Sequence, residues 1–135
     1  QFVSLNKEIE LLENYLSLEK IRYCDRVSIT FTKEVPKDVQ IAPLILLTFV
    51  ENAFKHGVSQ ELEKATIQIE ISVKDRYIEF KISNSIATNK ILSNKEGIGL
   101  KNVKKQLELL YDNAHSIEIK EEKERFYISL KLLSK

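Results

Sequence analysis

Glycine is scarce in this chain: Gly57, Gly97 and Gly99 are the only three. Glycines this rare, falling in two short clusters, mark places where the backbone has a particular task. Cysteine is nearly absent. Cys24 stands alone, so no internal disulfide can form, which suits a reducing, cytosolic setting. Neither sign of charge dominates, with 21 Lys plus Arg against 20 Asp plus Glu, so no global field favours nucleic acid or an anionic membrane surface. The longest apolar run, residues 41–47, falls far short of a bilayer span. Methionine is missing altogether, and Gln1 leads into a helical pattern rather than a secretory leader. We therefore expect a piece of something longer, with partner elements outside it. What is present suffices for a single domain over residues 1–135: 43% of residues are hydrophobic and 30% charged, without repeats or low-complexity stretches.

Periodicity sets the elements. From about Ser4 to Tyr23, Leu5, Ile9, Leu12 and Leu16 recur at helical spacing, with Leu11, Tyr15 and Leu18 widening the face. Val27, Ile29 and Phe31 alternate with Ser and Thr, as in a strand. After a break at Pro36-Lys37-Asp38, a second helix is predicted from about Pro43 to His56, with Pro43 suited to its first turn. That helix is apolar nearly all round until Glu51, so it should be buried. Ile67 to Val73 and Ile78 to Ile82 alternate as the two strands of a hairpin turning at Lys74-Asp75-Arg76. Residues 83–96 read as a loop. A third helix is predicted from about Leu100 to Tyr111. A last strand pair, Ile117-Ile119 and Phe126 to Leu132, is joined by the charged run Lys120 to Arg125. Paired strands with helices between them predict an α+β fold, a two-layer sandwich of one mixed β-sheet covered on one face by helices. A doubly wound parallel sheet would need more uniformly apolar strands.

Three constellations could carry chemistry. In Glu51-Asn52-Ala53-Phe54-Lys55-His56-Gly57 a buried helix turns polar at its C-terminal end, and Asn52, Lys55 and His56 share a face. By themselves these residues fit a solvated helix end, with Lys and His favoured by the dipole and Gly57 as cap. They also fit a site in which Asn gives an oxygen to Mg²⁺ and Lys a positive charge to a phosphate. In Gly97-Ile98-Gly99-Leu100 two glycines open a helix whose N–H groups could receive an anion, although such pairs are common in ordinary loop-to-helix turns. Asn84, at a strand end, continues the inward alternation of Phe80 and Ile82. Its amide could bind a base edge, or it could be a strand-terminal turn residue.

Taken in order, the three resemble the GHKL superfamily of ATPases, which includes histidine kinases, ATP-dependent chaperones, type II topoisomerases and MutL repair proteins. The Glu51–Gly57 helix resembles the N box, Gly97-Ile98-Gly99-Leu100 the second glycine box, and Asn84 sits where the first glycine box belongs. The likeness is greatest to the LytS-like sensor histidine kinases. Residues 10–22, Ala42-Pro43 and Asn102-Val103 through Leu109-Leu110-Tyr111 carry it further, across essentially the whole chain. The resemblance implies a Bergerat-type ATP-binding fold and a cytoplasmic catalytic domain of a membrane-anchored bacterial sensor. Residues 1–25 would form a helix leading from a dimerisation and acceptor region. It further implies that Asn52 holds Mg²⁺, that Glu51 acts near the attacking imidazole as base or polarising group, and that Lys55 and His56 face the phosphates or ribose of ATP. Asn84 would take the adenine amine, and Gly97, Ile98, Gly99 and Leu100 would line the phosphate and lid region. Implied partners are ATP, an upstream phosphoacceptor helix, a second copy of the chain and a response regulator; nucleic acid and direct membrane contact are not expected.

The chain departs from the pattern in places. The first glycine box usually has Asp followed by two glycines spaced by one residue, where this chain has Asn84, Ile86 and Thr88. An Asn carbonyl accepts the adenine amine without a charge, so weaker adenine binding is expected. The loop before Glu96 is short for an ATP lid, as in the LytS-like group, and Gln106 replaces a frequent Arg. Neither His56, within the N box, nor His115, expected in a turn, suits the role of phosphoacceptor. A catalytically weak or inactive nucleotide- or partner-binding module of the same fold is the alternative. A serine kinase of the anti-sigma type fits the N-terminal Tyr-Leu-x-Leu-Glu pattern less well.

Overall fold

A computed structural model describes residues 1–57, 64–86 and 98–134, with the side chains of residues 98 and 99 left aside. The elements follow in the order β1 (Val3–Ser4), α1 (Leu5–Tyr23), β2 (Val27–Glu34), β3 (Gln40–Ile41), α2 (Ile45–His56), β4 (Ala65–Lys74), β5 (Tyr77–Ser85), α3 (Ile98–Leu110), β6 (His115–Glu121) and β7 (Arg125–Leu133). Five strands form one sheet in the order β2-β4-β5-β7-β6, and β1 pairs with β3 in a separate two-stranded ribbon. Only β2 and β4 run parallel; the other neighbours in the large sheet are antiparallel. The predicted mixed sheet with helices on one face is therefore observed.

Register explains the layering. Ile67 faces Asn84, Ile69 faces Ile82 and Ile71 faces Phe80, so the branched residues of β4 and the inward set of β5 share one side. Ile128, Leu130 and Leu132 of β7 continue that side. Leu5, Ile9, Leu12 and Leu16 of α1, Phe49 and Ala53 of α2, and Val103 and Leu107 of α3 close over it in a single core. The opposite side carries Gln68, Glu70, Lys81 and Ser83, the polar half of each alternation.

Several boundaries differ from the sequence reading. Helix α2 begins at Ile45, not Pro43, because Leu44 sits in the left-handed region at φ 66° and ends the helical path behind it. That turn is held from three sides. Glu8 Oε1 accepts from the Leu44 N–H at 2.7 Å, the Tyr111 hydroxyl accepts from the Ala42 N–H at 2.8 Å, and the Leu44 carbonyl accepts from Thr48 Oγ1 at 2.8 Å. The β1–β3 ribbon is too short to show an alternation and was not expected. β5 runs on to Ser85, into the stretch read as loop, and α3 starts at Ile98 rather than Leu100. His115 opens β6 instead of lying in a turn, and its Nδ1 is 2.7 Å from the Tyr111 carbonyl oxygen. Residues 87–96 of the expected loop, with Thr88, and Gly97 after it lie outside the described residues.

The start of α1 shows how its first N–H groups are satisfied. Leu5 donates to the Val39 carbonyl, Asn6 to Asp38 Oδ1 at 3.0 Å and Lys7 to the Ser4 hydroxyl at 3.4 Å. Ser4 Oγ in turn donates to Asp38 Oδ2 at 2.6 Å. The Asp38 carboxyl is held below its ordinary range, first by the Ser4 hydroxyl and then by the Asn6 N–H. A folded-state value below the unfolded one makes the Asp38 contribution present above the unfolded value, near about 4, and lost as pH falls through the lower folded value. Asp38→Asn should flatten the acid limb of stability in that window, as read by thermal unfolding between neutral pH and about pH 3. Tyr111 is fully buried, so Tyr111→Phe strands the Ala42 N–H and should cost about 1–3 kcal/mol in denaturant unfolding; a loss below about 0.5 kcal/mol would show the clamp to be idle.

Candidate functional site

The polar end of α2 is set by what lies behind it. Phe49, Val50, Ala53 and Phe54 are buried, which rotates Glu51 and Lys55 outward and leaves Asn52 and His56 half-buried at the edge of the helical layer. Asn84 is buried at the end of β5, on the side of the sheet that faces the helices, as its alternation implied. The two meet at Gly57. A Cβ on Gly57 would lie 2.6 Å from Asn84 Nδ2, 2.7 Å from the Ala53 carbonyl oxygen and 3.0 Å from Asn84 Cβ. Gly57 has φ −96°, so it is not a left-handed cap. Glycine is required here for close approach and not for backbone freedom.

The Asn84 amide is oriented by its own strand: Nδ2 donates to the Ser85 carbonyl at 3.1 Å. The opposite side of the strand end is braced by residues the sequence reading had placed in a linking run. Arg125 Nε donates to Ser83 Oγ at 3.1 Å and Nη1 to Thr66 Oγ1 at 2.6 Å, while Thr66 N–H donates to Ser85 Oγ at 3.0 Å. Among the described residues, Arg125 Nη2 is buried without a hydrogen-bond partner. Nothing in the local sequence marks Arg125; only the register that sets it opposite Ser85 brings it there.

The other expected residues are placed less completely. The Leu100 side chain is in the core, so a ligand could meet Leu100 only through its main chain. Ile98 and Gly99 form the first turn of α3, where N–H groups have no partners within the helix, and Gly97 lies outside the described residues. Ile86, where the family pattern has glycine, is buried. A hollow of about 550 Å³, lined by Glu70, Lys81, Glu118 and Lys120 among others, opens on the polar side of the sheet, and a larger one of about 670 Å³ lies at the end of β5, lined by Ser85, Ile86, Glu124 and Arg125 among others. Among the described residues no group of three or more His, Cys, Asp or Glu side chains could hold a metal, and no helix is long and apolar enough to cross a membrane.

No protein-family model matches the chain. The chain is 28% identical over 122 residues to the sensor histidine kinase BtsS of Escherichia coli (strain K12), covering 88% of the chain and 21% of BtsS. It is 29% identical over 130 residues to the sensor protein LytS of Staphylococcus saprophyticus, covering 87% of the chain and 22% of LytS. The chain thus spans about a fifth of the length of these curated relatives. In structure it matches the catalytic domain of histidine kinase ThkA with a TM-score of 0.67 and 19% identity, covering 98% of the chain and 97% of that domain. A further match is ThkA in complex with the response regulator protein TrrA, with a TM-score of 0.64 and 17% identity over 100% of the chain and 42% of that ThkA chain.

The fold, with the polar end of α2 seated on Asn84, is that of a histidine-kinase catalytic domain. In sequence the chain is similar to the sensor histidine kinase BtsS and the sensor protein LytS over most of its length.

Gly57→Ala forces either α2 or Asn84 to move by several tenths of an ångström. It should destabilise the domain by about 1–3 kcal/mol in denaturant unfolding, and should shift the Asn84 side-chain amide resonances in an NMR spectrum. Unchanged stability and resonances would show that the two segments do not meet at Gly57.

Proposed function

We propose that the chain is the ATP-binding catalytic domain of a two-component sensor histidine kinase. It would transfer the γ-phosphate of ATP to a histidine on an upstream helix outside these residues, in a homodimer, with a response regulator as the next acceptor. The observation that carries this reading is the close approach of Asn84 to Gly57, which would join the proposed base-binding amide to the polar end of α2. The likeness of the whole chain to sensor histidine kinases supports it. Likeness to such sensors also supports a cytoplasmic placement beneath a membrane anchor.

Phosphoryl transfer asks little covalent chemistry of a protein and depends on positioning and charge neutralisation. One N–H of the Asn84 amide donates to the Ser85 carbonyl, and its oxygen would accept the adenine amine. Asn52 is a single amide oxygen at a half-buried position, a donor that fits Mg²⁺ bound mainly through phosphates and water. Bound there, Mg²⁺ would neutralise phosphate charge. Lys55 and His56 would face phosphate or ribose, and Glu51, exposed at the rim, would polarise the incoming imidazole. The main-chain N–H groups of residues 97–100 would receive phosphate oxygens. His115 is tied to the Tyr111 carbonyl at a strand end and His56 belongs to the binding face, so the acceptor histidine is assigned elsewhere.

One observation favours a second reading, in which the fold binds nucleotide or a partner without turnover. Ile86 is buried where the family pattern has glycine, next to an uncharged Asn84. Titration of Mg-ATP separates the two. The kinase reading expects a thermal shift at millimolar nucleotide, and Asn52→Ala should remove its Mg²⁺-dependent part. No shift at all would overturn the kinase reading, and a Mg²⁺-dependent shift that survives in Asn52→Ala would remove Asn52 as the metal ligand.

A further inference from the structure

Asn84 differs from a carboxylate in one respect that bears on the base it would meet. A carboxylate presents only acceptors, whereas a carboxamide has an acceptor at one end and two donors at the other. In one orientation Asn84 accepts from an amine; flipped, it donates to a carbonyl. An adenine edge offers the amine and a guanine edge the carbonyl. Whatever fixes the orientation of this amide therefore fixes which purine suits it.

That orientation is held from behind. Asn84 Nδ2 donates to the Ser85 carbonyl at 3.1 Å, and the amide oxygen in its place would face another acceptor. The amide is thus only as well oriented as Ser85. Parity puts the side chains of Ser83 and Ser85 on the other side of the sheet from Asn84, and both are tied down there. Arg125 Nε donates to Ser83 Oγ at 3.1 Å, Arg125 Nη1 to Thr66 Oγ1 at 2.6 Å, and the Thr66 N–H to Ser85 Oγ at 3.0 Å. One residue on, the Ile86 N–H donates to the Glu124 carbonyl at 3.0 Å. From β7, a single side chain binds β4 and β5 together at the two residues that flank Asn84.

Stability alone is a poor account of Arg125. Among the described residues its Nη2 is buried without a hydrogen-bond partner, a cost that a smaller neutral side chain would avoid. The hydroxyls it meets lie on the polar side of the sheet, where water would serve them in its place.

We propose that Arg125 is a positioning residue that sets base preference. By holding Ser83 and Thr66, and Ser85 through Thr66, it keeps the Asn84 amide with Nδ2 on the Ser85 carbonyl and its oxygen toward an exocyclic amine. The ligand class is a nucleoside triphosphate whose purine carries that amine. This rests on the reading above in which Asn84 meets the base. Arg125 acts through Asn84, from the other side of the sheet.

The test compares Mg-ATP, Mg-GTP and inorganic tripolyphosphate with Mg²⁺ as ligands of the chain by isothermal titration. The wild type should prefer ATP to GTP. Arg125→Met should narrow that preference about fivefold, chiefly by weakening ATP, and leave tripolyphosphate unchanged. In an Asn84→Ala background the same substitution should have no further effect on the ratio. A merely structural residue would weaken all three ligands alike, in both backgrounds. Arg125→Lys, which keeps a donor for one hydroxyl, should recover part of the preference. If Arg125→Met does not fold, Thr66→Val, which removes one acceptor of the tie, should shift the ratio in the same direction. ATP binding with an unchanged ratio in these variants, an equal loss for all three ligands, or a wild type without preference would overturn the positioning role and leave the kinase reading standing. A wild type that binds no nucleotide would overturn the kinase reading, and the positioning role with it.

Discussion

Burial of α2 against the inward side of the sheet is the constraint on which the rest depends. A helix with Ile45, Leu46, Phe49, Val50, Ala53 and Phe54 buried has no stable position in water, and each of these side chains larger than alanine contributes roughly 1.5–3 kcal/mol when covered. Its start is clamped by Glu8 and Tyr111, and its end is stopped by the contact of Gly57 with Asn84. With both ends and one face fixed, the rotation of the helix is fixed as well. That rotation decides which of Glu51, Asn52, Lys55 and His56 meet solvent.

The site follows as the place where the buried helix runs out of core. Polar residues are tolerated there because the sheet ends at the same level, at Ser85. Asn84 is the point of contact: a polar group within the apolar layer, its N–H satisfied by the Ser85 carbonyl. Arg125 stiffens that strand end from the opposite side, so the carboxamide is held by β4, β5 and β7 together.

Much of this was legible in the chain. The clean alternation of β4 and β5 predicted both strands, their pairing and the inward facing of Asn84, because a side chain's face in a strand depends only on its parity. The apolar run into Glu51 predicted a buried helix with a polar end. Reading was poorest at boundaries. Pro43 suggested a first helical turn, but Leu44 adopts a left-handed conformation that only the Glu8 and Thr48 contacts make tolerable. Gly57 was read as a cap and does cap α2, its N–H donating to the Ala53 carbonyl; the steric need for glycine there was not legible. His115 was read in a turn, and pairing with Leu132 draws it into β6.

By itself, then, the sequence determined the element types, the two layers and the residue types available for nucleotide chemistry. These depend on periodicity and on local side-chain character, both of which are written along the chain. Only the tertiary structure decided which of them meet. Gly57 and Asn84, Glu8 and Leu44, Tyr111 and Ala42, and Tyr15 and Phe54 are all distant in sequence, and each pair is joined by the register of a sheet or the crossing of two helices. Such contacts depend on how whole elements dock to exclude water, which no local pattern encodes.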